Sequence, residues 1–209
     1  MIDFPSGEMV GIFGPVSSGK TFLIKQWLKT QNRFVAFDYS GEMLEYEMYS
    51  QAPKALYERL KENRYFFQLS YLPGPEVELD FHYVLWSLWF LPVKKLLVCD
   101  EVHRICPVSG VNSDMETMLR FARHANLSFI GASQRIADVS KLFTSGCRTT
   151  ILFHTREIRD IQAIDDRWGC GDLVRDLRPL IYDDYRKICT QTPQAVVCKK
   201  GQEPEVIEL

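Results

Sequence analysis

Short apolar runs alternate with amphipathic segments along most of this 209-residue chain. The apolar runs predict buried strands at residues 8–14, 33–38, 65–72, 94–101, 127–133 and 149–155. Apolar residues at helical spacing predict helices at 20–31, 53–63, 81–91, about 114–125 and 157–168. The last run, 194–209, predicts a hairpin with a Lys-Gly turn. This alternation indicates one α/β domain spanning residues 1–209, with a parallel core sheet, helices on both faces and a C-terminal β-hairpin.

The longest apolar stretch, residues 81–92, is too short to cross a bilayer and is interpreted as a buried helix. The aromatic residues within it, Trp86–Phe90, are expected to be core residues rather than a platform for stacked bases. His82 and His154 lie in apolar sequence surroundings and are also expected in the core.

The composition of the chain excludes few classes of function. The net charge is −2, so a contact with nucleic acid would depend on a local basic patch. The six cysteines include no CxxC pair, which argues against a zinc framework and favours reduced thiols. No signal peptide is recognisable. These features favour a cytoplasmic protein without a membrane span.

A phosphate-binding loop is the strongest chemical signal. Residues 14–21 read Gly14-Pro15-Val16-Ser17-Ser18-Gly19-Lys20-Thr21 and match G-x-x-x-x-G-K-[ST] between a predicted strand and a predicted helix. Glycines let successive N–H groups point inward, and the helix N-terminus favours negative charge. Lys20 is expected on the β- and γ-phosphates, and the Thr21 hydroxyl on Mg²⁺. The alternative is a chance Gly/Ser turn.

Two acids and an amide extend this site. Asp100 and Glu101 end the predicted strand at 94–101. Asp100 is expected to hold Mg²⁺ from outside its inner ligand sphere, and Glu101 to polarise an attacking water. Gln134 ends another strand, where it could sense the γ-phosphate or orient that water. The alternatives are a strand that happens to end in two acids and a solvent-exposed glutamine.

These motifs together resemble the FtsK–HerA superfamily of P-loop ATPases. Besides the phosphate loop and the acidic pair, "DYSGE" (38–42) and "RHANLSFIGASQRIADV" (123–139) are similar to family patterns, and so is the final hairpin. The resemblance covers nearly the whole chain. It departs from many relatives at Ile136, where they have proline.

The resemblance implies a motor that hydrolyses ATP with Mg²⁺ in a ring of identical subunits, a pentamer or hexamer, through which double-stranded DNA passes. A bare motor core looks most like the genome-packaging ATPases of membrane-containing icosahedral viruses. Such a protein would act in the host cytoplasm or at a packaging vertex of the virion. Its partners would be DNA, recognised without sequence preference, and a capsid or portal-vertex protein.

In such rings a neighbouring subunit supplies an arginine finger. The resemblance makes Arg123 the first candidate, with Arg120 second and Arg148 weaker. Ser113 and Glu116 form a capping box that predicts the start of this helix. Glu116, Arg120 and Arg123 would then share one helix face, where a solvated salt-bridge face is the alternative.

DNA phosphates are expected to meet one of two loops, residues 103–112 or 134–141, and the sequence does not decide between them.

Other functions remain open from the sequence. One is a cellular or conjugative DNA pump of the same superfamily. Another is an ATP-dependent assembly switch that translocates nothing, although a switch does not need the base Glu101. A third is a small-molecule kinase, which would want an arginine-rich lid over the phosphates.

Overall fold

The computed structural model describes residues 7–43, 45–179, 182–183, 188–189 and 192–209. Its strands are β1 (Met9–Phe13), β2 (Arg33–Phe37), β3 (Glu47–Ser50), β4 (Phe67–Leu72), β5 (Lys95–Cys99), β6 (Leu127–Ser133), β7 (Thr149–Phe153), β8 (Tyr182–Asp183), β9 (Ile188–Cys189), β10 (Gln194–Lys199) and β11 (Glu205–Glu208). Nine of them form one mixed sheet in the order β11-β10-β7-β1-β6-β5-β2-β4-β3. The short strands β8 and β9 pair separately.

The helices are α1 (Lys20–Leu28), α2 (Pro53–Glu62), α3 (Val77–Trp89), α4 (Ser113–Phe121), α5 (Lys141–Gly146), α6 (Ile158–Trp168) and α7 (Gly171–Arg175). Short 3₁₀ turns lie at Val102–Arg104, Ala122–Ala125 and Ile136–Asp138. No helix in the described ranges combines the length and the apolar character that a membrane span requires.

The two faces of the sheet are covered unequally. Alternate side chains of the strands point to opposite faces and form two separate apolar clusters. One cluster takes its helical residues from α1, including Leu23, Ile24 and Leu28. The other cluster takes its helical residues from α2 to α7. Helices therefore lie on both faces, as predicted.

The sheet is parallel from β7 to β3, and β10 and β11 join it antiparallel at the β7 edge. The register aligns Phe13 with Ser133, and Cys99 with Gly131. The segments that follow β1, β6 and β5 consequently meet at one edge of the sheet. They carry the phosphate loop, Gln134 and the acidic pair. The predicted C-terminal hairpin is confirmed as β10–β11.

The short strands β8 and β9 are absent from the sequence prediction, and so is one strand of the nine-stranded sheet. β3 pairs parallel with β4 at the sheet edge, in register from Glu47 opposite Leu69 to Ser50 opposite Leu72. Its residues are largely exposed and carry neither an apolar run nor a clear alternation. Edge position explains this, because an edge strand need not be buried on both faces.

The prediction that the aromatic residues of α3 are core residues is wrong in part. Helix α3 begins at Val77, and its buried positions are Phe81, Val84, Leu85 and Leu88. Trp86 and Trp89 are half-buried, and Phe90 is 77% exposed.

The histidine prediction fails as well. His82 is exposed and its Nδ1 lies 2.8 Å from Asp114 Oδ2. Because His82 follows Phe81 on an amphipathic helix, it points away from the sheet. His154 is half-buried rather than fully buried.

The capping box is also corrected. Asn112 caps α4, because its Oδ1 accepts a hydrogen bond from Met115 N at 2.8 Å. The helix therefore starts one residue earlier than the Ser113–Glu116 pattern predicts. Helix α4 ends at Phe121, so Arg123 lies in the following 3₁₀ turn and not on the helix.

The described cysteine side chains, Cys99, Cys106, Cys147, Cys170 and Cys198, are all free thiols and buried, in agreement with the prediction. The side chain of Cys189 lies outside the described part of the structure.

Candidate nucleotide site

The loop from β1 to α1 has the backbone that anion binding requires. Gly19 (φ 104°) and Ser17 (φ 60°) both lie in the left-handed region. Such residues curl a loop so that successive N–H groups converge, and glycine adopts this conformation at little cost. Helix α1 begins at Lys20, so the amides of its first turn have no acceptor within the helix. The loop thus offers converging donors at the positive end of a helix dipole.

Close packing fixes the start of this loop. A Cβ placed on Gly14 would lie 2.5 Å from Phe153 Cβ and 2.8 Å from Ser18 Oγ, so only glycine fits there. Ser18 is buried, and its hydroxyl has no hydrogen-bond partner among the described residues. A buried polar atom without a partner is rare, and a phosphate oxygen in the loop would satisfy it.

The Lys20 ammonium lies inside the loop. Its Nζ donates to Gly14 O at 2.7 Å and to Pro15 O at 2.9 Å, and the residue is only 9% exposed. Burial lowers the pKa of Lys20, and the nearby carboxylates of Glu101 and Asp100 partly offset that decrease. The lysine and the two acids therefore belong to one electrostatic unit.

Glu101 is held on both sides. Gln134 Nε2 donates to Glu101 Oε1 at 2.6 Å, so the predicted base and the predicted amide meet directly. His103 Nδ1 lies 3.2 Å from Glu101 Oε2 and also contacts Ser133 Oγ at 3.1 Å. Glu101 has φ 57°, a left-handed conformation that costs a non-glycine residue about 1–3 kcal/mol. Strain of this kind is concentrated at functional sites.

These contacts set the charge of Glu101. Burial alone would raise the pKa of this carboxyl group, but its contacts with His103 and Gln134 outweigh burial and hold the pKa below the usual value. Glu101 is consequently ionised at neutral pH, which is the state that accepts a proton.

Asp100 is in the opposite situation. Burial raises its pKa, and the charges of Glu101, Glu42 and Asp38 raise it further. The Ser40 hydroxyl, which donates to Asp100 Oδ2, opposes this increase by stabilising the carboxylate.

This concentration of negative charge fits a divalent cation. Thr21, in the first turn of α1, and Asp100 are the residues that would hold it. In the described part of the chain, no group of three or more His, Cys, Asp and Glu side chains could hold a metal. Mg²⁺ at phosphates keeps waters and uses one or two protein ligands plus phosphate oxygens, so Thr21 and Asp100 would suffice.

Asp38 explains how Ser40 reaches this position. The buried Asp38 carboxylate accepts from Glu42 N at 3.0 Å and from Met43 N at 2.8 Å, and so closes the turn after β2. The "DYSGE" motif therefore has a local structural role, and it places the Ser40 hydroxyl against Asp100.

The two candidate DNA loops lie together. An isolated antiparallel bridge joins Pro107 to Val139, and Ser140 N donates to Cys106 O at 3.0 Å. One loop starts two residues after Glu101 and the other starts at Gln134. Each loop therefore lies next in sequence to one of the two residues that contact each other in the site.

The candidate arginines lie at the other end of the sheet. Arg123 is exposed and precedes β6, whereas Gln134 follows it. The seven residues of β6 separate the two by about 23 Å at roughly 3.3 Å per residue. Arg120 binds Glu116 at 2.7 Å, and Arg148 binds Glu8 at 2.8 Å. None of the three arginines therefore completes the site of its own chain.

Sequence reasoning missed His103, Ser40 and Ser133 as neighbours of the acidic pair. His103 follows Glu101 by two residues in "DEVH", which was the available signal. Ser40 lies in the "DYSGE" motif, but its contact with Asp100 depends on the turn that Asp38 closes. Ser133 meets the acidic pair only through His103, and that contact arises from the sheet order.

Comparison with solved structures shows the fold. The genome packaging NTPase B204 from Sulfolobus turreted icosahedral virus 2 in complex with ATP-gammaS matches with a TM-score of 0.78 at 16% identity, over 96% of each chain. B204, the DNA-packaging ATPase from Sulfolobus turreted icosahedral virus, matches with a TM-score of 0.73 at 16% identity, over 97% of this chain and 98% of that chain.

A more distant match is the N-terminal domain of zonular occludens toxin from Neisseria meningitidis. Its TM-score is 0.50 at 11% identity, over 98% of this chain and 94% of that domain. No family model and no curated protein matches this sequence. The predicted P-loop NTPase fold is confirmed, and the chain shares it over nearly its full length with the packaging NTPase.

Proposed function

We propose that this protein is an ATP-hydrolysing motor that moves double-stranded DNA, and that its task is to package a viral genome into a preformed capsid. One observation carries the proposal: the phosphate loop at 14–21 lies beside an ionised Glu101 that Gln134 binds directly. The packaging task is supported by the likeness to the genome packaging NTPase across 96% of both chains.

The residues divide the hydrolysis between them. Loop amides and Lys20 bind the phosphates of ATP, and Lys20 exchanges its two carbonyl acceptors for phosphate oxygens. Thr21 and Asp100 would hold Mg²⁺, which would supply positive charge at the phosphates. Glu101 accepts a proton from the attacking water, and Gln134 exchanges its bond to Glu101 for one that orients this water.

A second copy of the chain is needed to complete the site. Arg123 is the proposed finger that stabilises charge on the transferred phosphoryl group, and it is too far from its own Gln134 to act there. It is exposed and forms no ion pair with any described residue, so it is free to enter a neighbouring site. A closed ring of five or six copies provides this contact at every site.

DNA enters through sequence-independent contacts with its phosphates. The paired loops 103–112 and 134–141 begin at or next to the residues of hydrolysis, so they are the proposed route by which turnover moves DNA. A capsid or portal-vertex protein would hold the ring at the virion.

The test is steady-state ATP hydrolysis over a range of protein concentrations, with and without duplex DNA. The rate per subunit is expected to rise with concentration and again with DNA. A rate that ignores both would reject the ring motor and favour a switch. Transfer of the phosphoryl group to nucleosides instead of water would favour a kinase.

The Arg123→Ala variant tests the finger. It should bind nucleotide as the wild type does and lose turnover. Mixed with the Lys20→Ala variant, it should regain turnover, because Lys20→Ala keeps Arg123 and Arg123→Ala keeps an intact phosphate loop. Arg120→Ala is the matched control and should hydrolyse ATP normally. Normal turnover by Arg123→Ala alone would show that the finger is another residue.

A further inference from the structure

A second concave site lies away from the nucleotide site. A cleft of about 400 Å³ opens where α5 leads into β7, the end of α6 and the β10–β11 turn meet. Arg148 immediately precedes β7, and Lys199 at the end of β10 pairs with Thr149 at the start of β7. The cleft therefore lies at the amino ends of the parallel strands, opposite the phosphate loop.

The lining of this cleft is basic. Arg148, Arg167, Lys199 and Lys200 line it, and the one acidic lining residue is Glu203. Among ion pairs of the described residues, the cleft contributes one, from Arg148 Nη1 to Glu8 Oε1 at 2.8 Å. The other three basic residues, Arg167, Lys199 and Lys200, form no ion pair with a described residue, although the charge of Asp166 acts on Arg167. The lining is therefore more basic than the chain as a whole, whose net charge is −2.

Arg167 adds a buried donor without an acceptor. Its Nη1 donates to Ala163 O at 3.3 Å within α6, but its Nε is buried and has no partner among the described residues. A buried donor left unsatisfied is unfavourable, so a ligand acceptor at this position would stabilise it. Trp168 lies beside it in the same lining.

We propose that this cleft is a second phosphate-binding site, which receives phosphate groups from the DNA backbone or from a nucleotide held by an adjacent copy of the chain. Both sources of phosphate, DNA and a neighbour's nucleotide, rest on the proposed motor function. A phosphate presents enough oxygens for the fork of Arg167 and for two ammonium groups together. A side-chain carboxylate has two oxygens and would satisfy fewer of these donors.

Glu8 sets the strength of the site. The Arg148 side chain is 70% exposed, whereas the Glu8 side chain is 13% exposed, so the arginine is the member of the pair that a ligand can reach. A phosphate in the cleft competes with Glu8 for Arg148. Replacing Glu8 with glutamine should release the arginine and tighten phosphate binding.

The cleft is connected to the nucleotide site through two paired strands. β1 and β7 pair from Val10 opposite Thr149 to Phe13 opposite Leu152. At their far ends Phe153 packs against Gly14 of the phosphate loop. Five residues of strand span about 17 Å at roughly 3.3 Å per residue. The two paired strands therefore form a continuous path from Glu8 and Arg148 to the phosphate loop.

The experiment compares duplex-DNA binding by the full chain across a salt series. The test variant is Lys199→Gln/Lys200→Gln, since both lysines are exposed and their loss leaves no buried charge. The matched control is Lys54→Gln/Lys61→Gln, which removes the same charge from exposed positions of α2. If both cleft lysines contact phosphates, the slope of log K against log salt should become shallower by about 1.8. The control should keep the wild-type slope, and Glu8→Gln should steepen it by about 0.9.

A second arm identifies the source of the phosphate. ATP hydrolysis is measured without DNA at high protein concentration. A loss of at least tenfold in Lys199→Gln/Lys200→Gln, with an unchanged DNA slope, assigns the cleft to the neighbour's nucleotide. A changed slope with normal hydrolysis assigns it to DNA.

If the wild-type protein neither binds DNA nor is stimulated by it, the proposed DNA motor is refuted. The ATP hydrolysis of Lys199→Gln/Lys200→Gln without DNA would then show by itself whether the cleft binds the nucleotide of a neighbouring copy. If Lys199→Gln/Lys200→Gln shows the wild-type salt slope and the wild-type rate of ATP hydrolysis, the cleft proposal is overturned. The proposed motor function does not depend on that result.

Discussion

Replacing Glu101 with glutamine separates the binding of ATP from its hydrolysis. Glutamine has the same shape, and its carbonyl oxygen can still accept the hydrogen bond that Gln134 Nε2 donates to Oε1 at 2.6 Å. The left-handed backbone at this position should remain, because glutamate and glutamine have the same carbon skeleton and differ only in the terminal group. The substitution therefore removes charge and basicity and keeps the contact with Gln134, while the charged contact between His103 and Oε2 is lost.

The expected loss follows from the role of the group. A positioned general base contributes about 10²–10⁴-fold, which is about 2.7–5.4 kcal/mol of transition-state stabilisation. Binding should be preserved or tighter, because one negative charge near the phosphates of ATP is removed while Lys20 stays in the loop. The ionised state of Glu101, held by His103 and Gln134, places the full effect at neutral pH.

The assay pairs single-turnover ATP hydrolysis with equilibrium binding of a fluorescent ATP analogue. Glu42→Gln is the matched control, since Glu42 also acts on the pKa of Lys20 but is exposed and forms no bond to Gln134. The control should stay within about twofold of the wild type. Hydrolysis by Glu101→Gln above one tenth of the wild-type rate, with normal binding, would refute the assignment of Glu101 as the base.

Three further predictions concern other parts of the molecule. Gly14→Ala should destabilise the fold by about 1–3 kcal/mol and abolish nucleotide binding, because its Cβ would lie 2.5 Å from Phe153 Cβ. Gly146→Ala should be tolerated, because its Cβ would lie 3.5 Å from the nearest atom, Leu119 Cδ2. Urea unfolding of the two variants distinguishes these outcomes. Ser40→Ala removes the bond that lowers the pKa of Asp100, so the acid limb of the pH–rate profile should move to higher pH, and an unmoved limb would contradict this. Burial lowers the pKa of Lys95 to about 8, so between about pH 8 and 10.4 the unfolded chain binds a proton that the folded chain does not. The unfolding free energy of the wild type should therefore rise by about 3 kcal/mol over this window relative to that of Lys95→Met. A difference in unfolding free energy that does not change with pH would contradict this.

The parallel core could be predicted because its strands are buried on both faces. β5 and β6 are fully buried, and apart from Lys95, Ser128 and Ser133 their residues are apolar or glycine, which makes the runs recognisable. β3 could not be predicted, because its residues are mostly exposed and its place depends on β4. The exposure of Phe90 and His82 was missed for a related reason, since hydrophobicity alone does not say which side of a helix meets the sheet.

The nucleotide site divides in the same way. The phosphate loop and the acidic pair were predicted because each consists of residues that are contiguous in the sequence. The contact between Gln134 and Glu101 follows from the adjacency of β6 and β5, and the sequence alone did not predict this strand order. His103 and Ser40 reach the acids through turns whose shape is set by the fold. The role of Arg123 depends on a second chain and stays a prediction.

The most direct test of the motor is ATP-driven displacement of a third strand from duplex DNA. The wild-type protein should displace a triplex-forming oligonucleotide when ATP is present, with a delay that grows with its distance from the free DNA end. Glu101→Gln should bind the same DNA and ATP and displace nothing. Hydrolysis that DNA stimulates, without displacement at any distance, would contradict the claim that this protein moves DNA.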